Sequence, residues 1–140
     1  HYTVTPEMKA KMADFCGGFA TEAEDAAAIR ELYDETGYVI DTHTGVASAV
    51  YQQYKKNTGD EAKTVIASTA SPYKFSRSVM EAISDEKLPE DEFAVIDELC
   101  RVSGVEIPKA VEEIRNAQIR HNLECDVQDM KKTVAKILGI

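Results

Sequence analysis

Gly37-Tyr38-Val39-Ile40-Asp41-Thr42-His43-Thr44-Gly45 opens on a helix-stopping glycine, passes through three β-prone residues and breaks into a polar run. Before it, Thr21-Glu22-Ala23-Glu24 is a capping box, with an acid three residues after the threonine. Ala26, Ile29, Leu32 and Tyr33 then share one helical stripe that Gly37 closes. After it, Val46, Val50 and Tyr54 recur at four-residue spacing, which predicts a helix from Gly45 to roughly Asn57, closed near Gly59. Thr64-Val65-Ile66-Ala67-Ser68 is a second short apolar run. Helix, strand, helix, strand, with a helix crossing between the strands, is the order of a parallel α/β unit.

Outward from this unit the pattern is helical. Thr5-Pro6-Glu7 caps a short helix carrying Met8, Met12 and Phe15, which ends at Gly17-Gly18. Ser71-Pro72 starts a helix with Phe75, Val79 and Ile83 on one face. Pro89 and Glu90-Asp91-Glu92 precede another, bearing Phe93, Ile96, Leu99 and Cys100 and ending at Gly104. Pro108 starts a short one with Val111 and Ile114, and the last, from about Asp126, carries Val127, Met130, Val134, Ile137 and Leu138. The expected fold class is therefore α/β: a mostly helical chain with about two short parallel strands. Residues 1–140 read as a single domain, with an α/β segment over 1–70 and a helical segment over 71–140. Strands apolar on both faces belong inside a covered sheet, and two of them alone are marginal. The missing strands are expected to lie upstream of His1, where the chain begins without a methionine.

At 140 residues, 44% apolar and 29% charged, the chain can bury a real core. A formal charge of −9 repels phosphate backbones and anionic lipid, so neither nucleic acid nor membrane is an expected partner. The acids also serve plain solubility. Cys16, Cys100 and Cys125 are an odd count without a C-x-x-C pair, which argues against disulfides or a zinc site and for a reducing cytoplasm.

Two loops that follow the strands hold most of the chemistry: Asp41-Thr42-His43-Thr44-Gly45 and Ser68-Thr69-Ala70-Ser71-Pro72-Tyr73-Lys74-Phe75. In α/β folds ligands bind beyond the carboxyl ends of strands, and both loops lead into helix N-termini. Each also has a purely structural explanation: Asp41, Thr42 or Thr44 as a helix cap, and Ser71-Pro72 as a cap followed by proline. His43 lacks metal-ligand partners, since His1 and His121 are not placed to help. A Ser68–His43–Asp41 triad can be drawn, but without a G-x-S-x-G elbow. Cys100 falls on an apolar stripe, as a packing thiol does, and Lys74 could meet an anion or simply sit in solvent.

The first loop with its flanks, Gly37 to Ala47, resembles the G-Y-x-x-D-x-H-T-A-V-A segment of threonine synthases. The second is similar to the S-T-A-H-P-x-K-F of the same family. Thr21-Glu22-Ala23-Glu24 resembles its acid-rich approach, and Cys125-Asp126-Val127-Gln128-Asp129-Met130 its closing helix. Gly45 stands where alanine is usual and Ser71 where histidine is common.

The resemblance implies the C-terminal part of a fold-type-II pyridoxal-phosphate enzyme, a lyase of threonine biosynthesis converting O-phospho-L-homoserine and water to L-threonine and phosphate. It also implies that Thr69, with Ser68 next, faces the pyridine nitrogen, and that Asp41, His43 and Thr44 line or brace the same cleft. Neither the S-F-K-D lysine segment nor the cofactor-phosphate loop of the family occurs in this chain. The expected partner is the rest of the same polypeptide, and the chain alone is expected to be inactive. The alternatives are a related fold-type-II lyase and a non-catalytic, stand-alone helical interaction module.

Overall fold

A computed structural model describes residues 2–140; readings that involve His1 lie outside the described residues. Seven α-helices follow in order: α1 (Pro6–Lys11), α2 (Glu22–Thr36), α3 (Thr42–Thr58), α4 (Ser76–Ile83), α5 (Glu92–Ser103), α6 (Lys109–Arg115) and α7 (Met130–Leu138). Short 3-10 turns at Pro72–Phe75 and Val127–Asp129 lead into α4 and α7.

Local chemistry sets most of these ends. The capping box at α2 forms as the sequence predicts: the Thr21 hydroxyl accepts from the Glu24 amide at 3.3 Å, and the Glu24 carboxylate accepts from the Thr21 amide at 2.7 Å. Gly37 closes α2 at φ 72°, a left-handed conformation that a side chain would resist. α3 begins earlier than its apolar spacing suggests, because Asp41 caps it directly.

No residue among those described forms a β-strand, which corrects the α/β expectation. A strand is a pairing of backbones, and apolar content alone does not create one. Tyr38–Ile40 is three residues held between the glycine end of α2 and the cap of α3, with no ladder partner. Thr64–Ser68 likewise has none; Val65 is 94% exposed. The described fold is all-helical.

The core lies between α2, α3, α4 and α5. Ile29, Val39, Ile40, Val79, Met80, Val95 and Leu99 are buried together, with Leu32, Phe93 and Val111 packed at the edges. Each such side chain contributes about 1.5–3 kcal/mol over its exposed state. α3 turns an unexpected face inward: Thr44, Gly45 and Ala49 are buried, while Val46 is exposed. These small residues let α2 and α3 approach closely. Tyr73 ties the turn before α4 to the chain after α5, its hydroxyl donating to the Val105 carbonyl. Burial pushes that phenol up to about 12, so it keeps its proton and remains a donor. Arg77 closes the α4–α5 link, donating to the Glu92 carboxylate and to the carbonyls of Pro89 and Glu90.

The ends of the chain look different. α1, α6 and α7 contain no buried residue. Met8, Met12 and Phe15 are exposed, as are Met130, Val134, Ile137 and Leu138.

A carboxylate-centred candidate site between two loops

Asp41 is the hub. It is 1% exposed and caps α3, with Oδ1 accepting from the His43 amide at 2.9 Å and the Thr44 amide at 3.4 Å. Oδ2 accepts from the Thr44 hydroxyl at 2.5 Å. Burial pushes the Asp41 carboxyl up, but hydrogen bonds from the Thr44 hydroxyl, the His43 amide and ring and the Thr44 amide outweigh it. The carboxyl is held below its usual range and stays ionised.

The His43 ring contacts the same carboxylate, Nδ1 to Oδ1 at 3.0 Å. An ionised carboxylate only accepts, so Nδ1 carries the proton of that bond, and in the neutral ring Nε2 is the proton acceptor. The ring is half-exposed and stacks on Phe75, centroids 5.7 Å apart at 28°. Phe75 thus leaves the core face that its spacing suggests and joins the site, and Lys74 lies over its ring at 5.7 Å.

The second loop enters through Ser68, whose Oγ lies 2.8 Å from Thr44 Oγ1 and 3.5 Å from Asp41 Oδ2. Thr44 has one hydroxyl proton and gives it to Asp41, so in the Thr44–Ser68 bond Ser68 donates. The proton of Ser68 is committed and its lone pairs are free. Thr69 is exposed and, among the described residues, its hydroxyl has no hydrogen-bond partner.

The structure therefore brings Asp41, His43, Thr44 and Ser68 into one network, with Thr69 adjacent in sequence and open to solvent. A serine-protease-type order is not formed: Asp41 and Thr44 stand between Ser68 and His43. No cluster of three metal-ligating side chains occurs among the described residues, and Cys16, Cys100 and Cys125 are free thiols. No helix among those residues is long and apolar enough to cross a membrane.

Sequence reasoning missed Asp25. It sits four residues before Ile29, on the stripe α2 turns inward, and its Oδ1 is buried without a hydrogen-bond partner. An acid on an apolar stripe was the available signal. Asp25, Ile29, Thr42, Phe75 and Ala82 share the wall of an open cleft of about 430 Å³ between α2, the start of α3 and α4.

Comparison with known proteins gives the family. A family described as threonine synthase, C-terminal, matches residues 44–134, well over half of the chain and including Thr44, Ser68 and Thr69. The human protein named threonine synthase-like 1 is 31% identical over 91 residues, covering 64% of this chain and 12% of that protein. Threonine synthase of Schizosaccharomyces pombe is 36% identical over 84 residues, covering 59% and 16%. That of Corynebacterium glutamicum is 30% identical over 92 residues, covering 64% and 18%. The chain thus spans less than a fifth of the length of these relatives. No solved structure matches it. With its two loop motifs joined through Asp41 and its matched region covering most of the helical core, this chain belongs to the threonine synthase family, in which it corresponds to the C-terminal part.

Proposed function

We propose that this chain is the C-terminal portion of a threonine synthase, which converts O-phospho-L-homoserine and water to L-threonine and phosphate with pyridoxal phosphate, and that it forms the wall at the pyridine end of the cofactor. The observation that carries this reading is the hydrogen-bond chain Asp41–Thr44–Ser68, which fixes the second loop beside a free hydroxyl at Thr69.

The donor set suits that position. Pyridoxal phosphate, when bound, supplies the electron sink for the chemistry. A pyridine nitrogen facing a neutral hydroxyl stays unprotonated and accepts a hydrogen bond. Thr69 has a proton to give, whereas Ser68 has already given its own to Thr44. Ser68 then braces the loop, and Asp41 holds both Thr44 and the His43 ring in place. The His43 ring is half-exposed, and with Nδ1 donating to Asp41 its Nε2 is the acceptor of the neutral ring. The rest of the same polypeptide, the expected partner, would bring the cofactor-binding lysine, in a cytoplasmic enzyme.

Three measurements test the reading. The chain mixed with pyridoxal phosphate and O-phosphohomoserine should release no phosphate above buffer; turnover by the chain alone would overturn its role as a part. Joined to the lysine-bearing region of a threonine synthase, it should support turnover. Thr69→Val in that assembly should shift the cofactor absorbance, with a smaller change for Ser68→Ala. The reverse order would move the pyridine contact to Ser68.

A further inference from the structure

Asp25 projects from the first turn of α2 towards the start of α3. A Cβ built on Gly45 would lie 2.0 Å from Asp25 Oδ1 and 2.8 Å from Ile29 Cγ1, so only glycine at position 45 leaves room for the carboxyl. That oxygen has almost no accessible surface and, among the described residues, no hydrogen-bond donor. Its surroundings offer little to a negative charge. Asp41 and His43 face it from the start of α3, Glu81 from α4 and Glu22 from its own helix, and no lysine or arginine lines the cleft. Ile29, Phe75 and Ala82 supply the apolar remainder.

We infer that Asp25 is a proton-sensitive wedge between α2 and α3, seated by Gly45, whose ionisation loosens the ground on which the Asp41 cap and its hydrogen-bond network stand. Nothing in this wedge depends on the cofactor reading. Burial first, then repulsion from Asp41, raises the Asp25 carboxyl above its usual value, against a weaker pull from His43. The linkage follows. Stability from protonated Asp25 is fully present below its unfolded value, about 3.9, and is lost as pH rises through the raised folded value. Asp41 runs the other way: its stabilisation is present above the ordinary carboxylate range and is lost as pH falls through its lowered value. Two neighbouring acids thus impose opposite pH slopes on one helix–helix contact.

Thermal unfolding of the chain and its variants between about pH 4 and 8 tests this. Asp25→Asn keeps the shape and removes the charge. Its Tm should exceed that of the parent chain by about 4 °C at pH 7, with the gap narrowing towards pH 4. Glu35→Gln, an exposed acid near the far end of α2 and outside the cleft, should leave the pH slope unchanged. Parallel curves for Asp25→Asn and the parent, a lower Tm for Asp25→Asn at pH 7, or the same effect from Glu35→Gln would each overturn the wedge. Gly45→Ala reads the geometry separately. It should lower Tm, and lower it less when Asp25→Ala is also present, since one of the two close contacts is then gone. Additive losses would overturn the seating by Gly45.

Discussion

Two connectors that look alike in sequence, Tyr38–Asp41 and Thr64–Thr69, end in opposite environments. Val39 and Ile40 are each 5% exposed, whereas Val65 is 94% exposed. Both are short β-prone runs leading to a polar loop and then a helix. What separates them is the length of free chain around them. The first is pinned within four residues by the left-handed Gly37 and the Asp41 cap, and each flanking helix is packed into the core. The second follows the end of α3 at Gly59, and its ties to the core network are the bonds of Ser68 to Thr44 and Asp41. Burial in a small helical fold thus follows from how tightly helix ends constrain a connector, and only secondarily from how apolar it is.

Asp41→Ala strikes the tight connector hardest. It removes the cap of α3 and leaves the His43 and Thr44 amides and the Thr44 hydroxyl without their acceptor, at a cost of about 3 kcal/mol. Chemical denaturation should show this as a lower midpoint with little change in slope. Asp41→Asn should cost less, because its remaining carbonyl oxygen can still accept from the amides. The acid limb of stability should also weaken in both variants, since the carboxyl whose depressed value produces it is gone. A chain as stable with alanine as with aspartate would refute the pinning of this connector by its cap.

Ile40→Ala comes next, at about 2–3 kcal/mol, because the side chain sits in the shared core with Ile29 and Met80. A loss below about 0.5 kcal/mol, the range of exposed positions, would mean that Ile40 is not held in the core.

Much of this was legible from the sequence. The capping box at Thr21, the glycine ends at Gly37, Gly59 and Gly104, and the buried faces of α4 and α5 all appear where spacing and cap chemistry put them. Asp41, His43, Thr44 and Ser68 share one hydrogen-bond network. The strands were misread because pairing depends on a partner that periodicity does not display. The inward face of α3 was misread for a different reason. Val46, Val50 and Tyr54 are its larger apolar residues, yet Gly45 and Ala49 are buried because close helix packing selects for small size. Phe75, placed on the core face by its spacing, is half-exposed, and Asp25, which the sequence reading passed over, has a buried carboxylate oxygen.

Thr44→Val tests the link between the connectors. It deletes the hydroxyl that joins Asp41 to Ser68, for about 1–2 kcal/mol, and frees the loop that holds Thr69. Hydrogen exchange should quicken in residues 66–70 more than in α5; uniform quickening would mean that Ser68 is not tethered through Thr44.

The smallest effect belongs to the loose connector, and its context makes it the most informative. Val65→Thr should change the stability of the 140-residue chain by no more than about 0.5 kcal/mol, because the side chain lies almost wholly in water. If the proposed partner region covers residues 64–68, the same substitution in the joined protein buries a hydroxyl where a methyl should pack. It should then cost about 1–3 kcal/mol. The difference between the two costs measures how much of this connector's structure is supplied from outside it. Equal costs in both settings would mean that Val65 stays in solvent in the joined protein too, and that the partner region does not cover it.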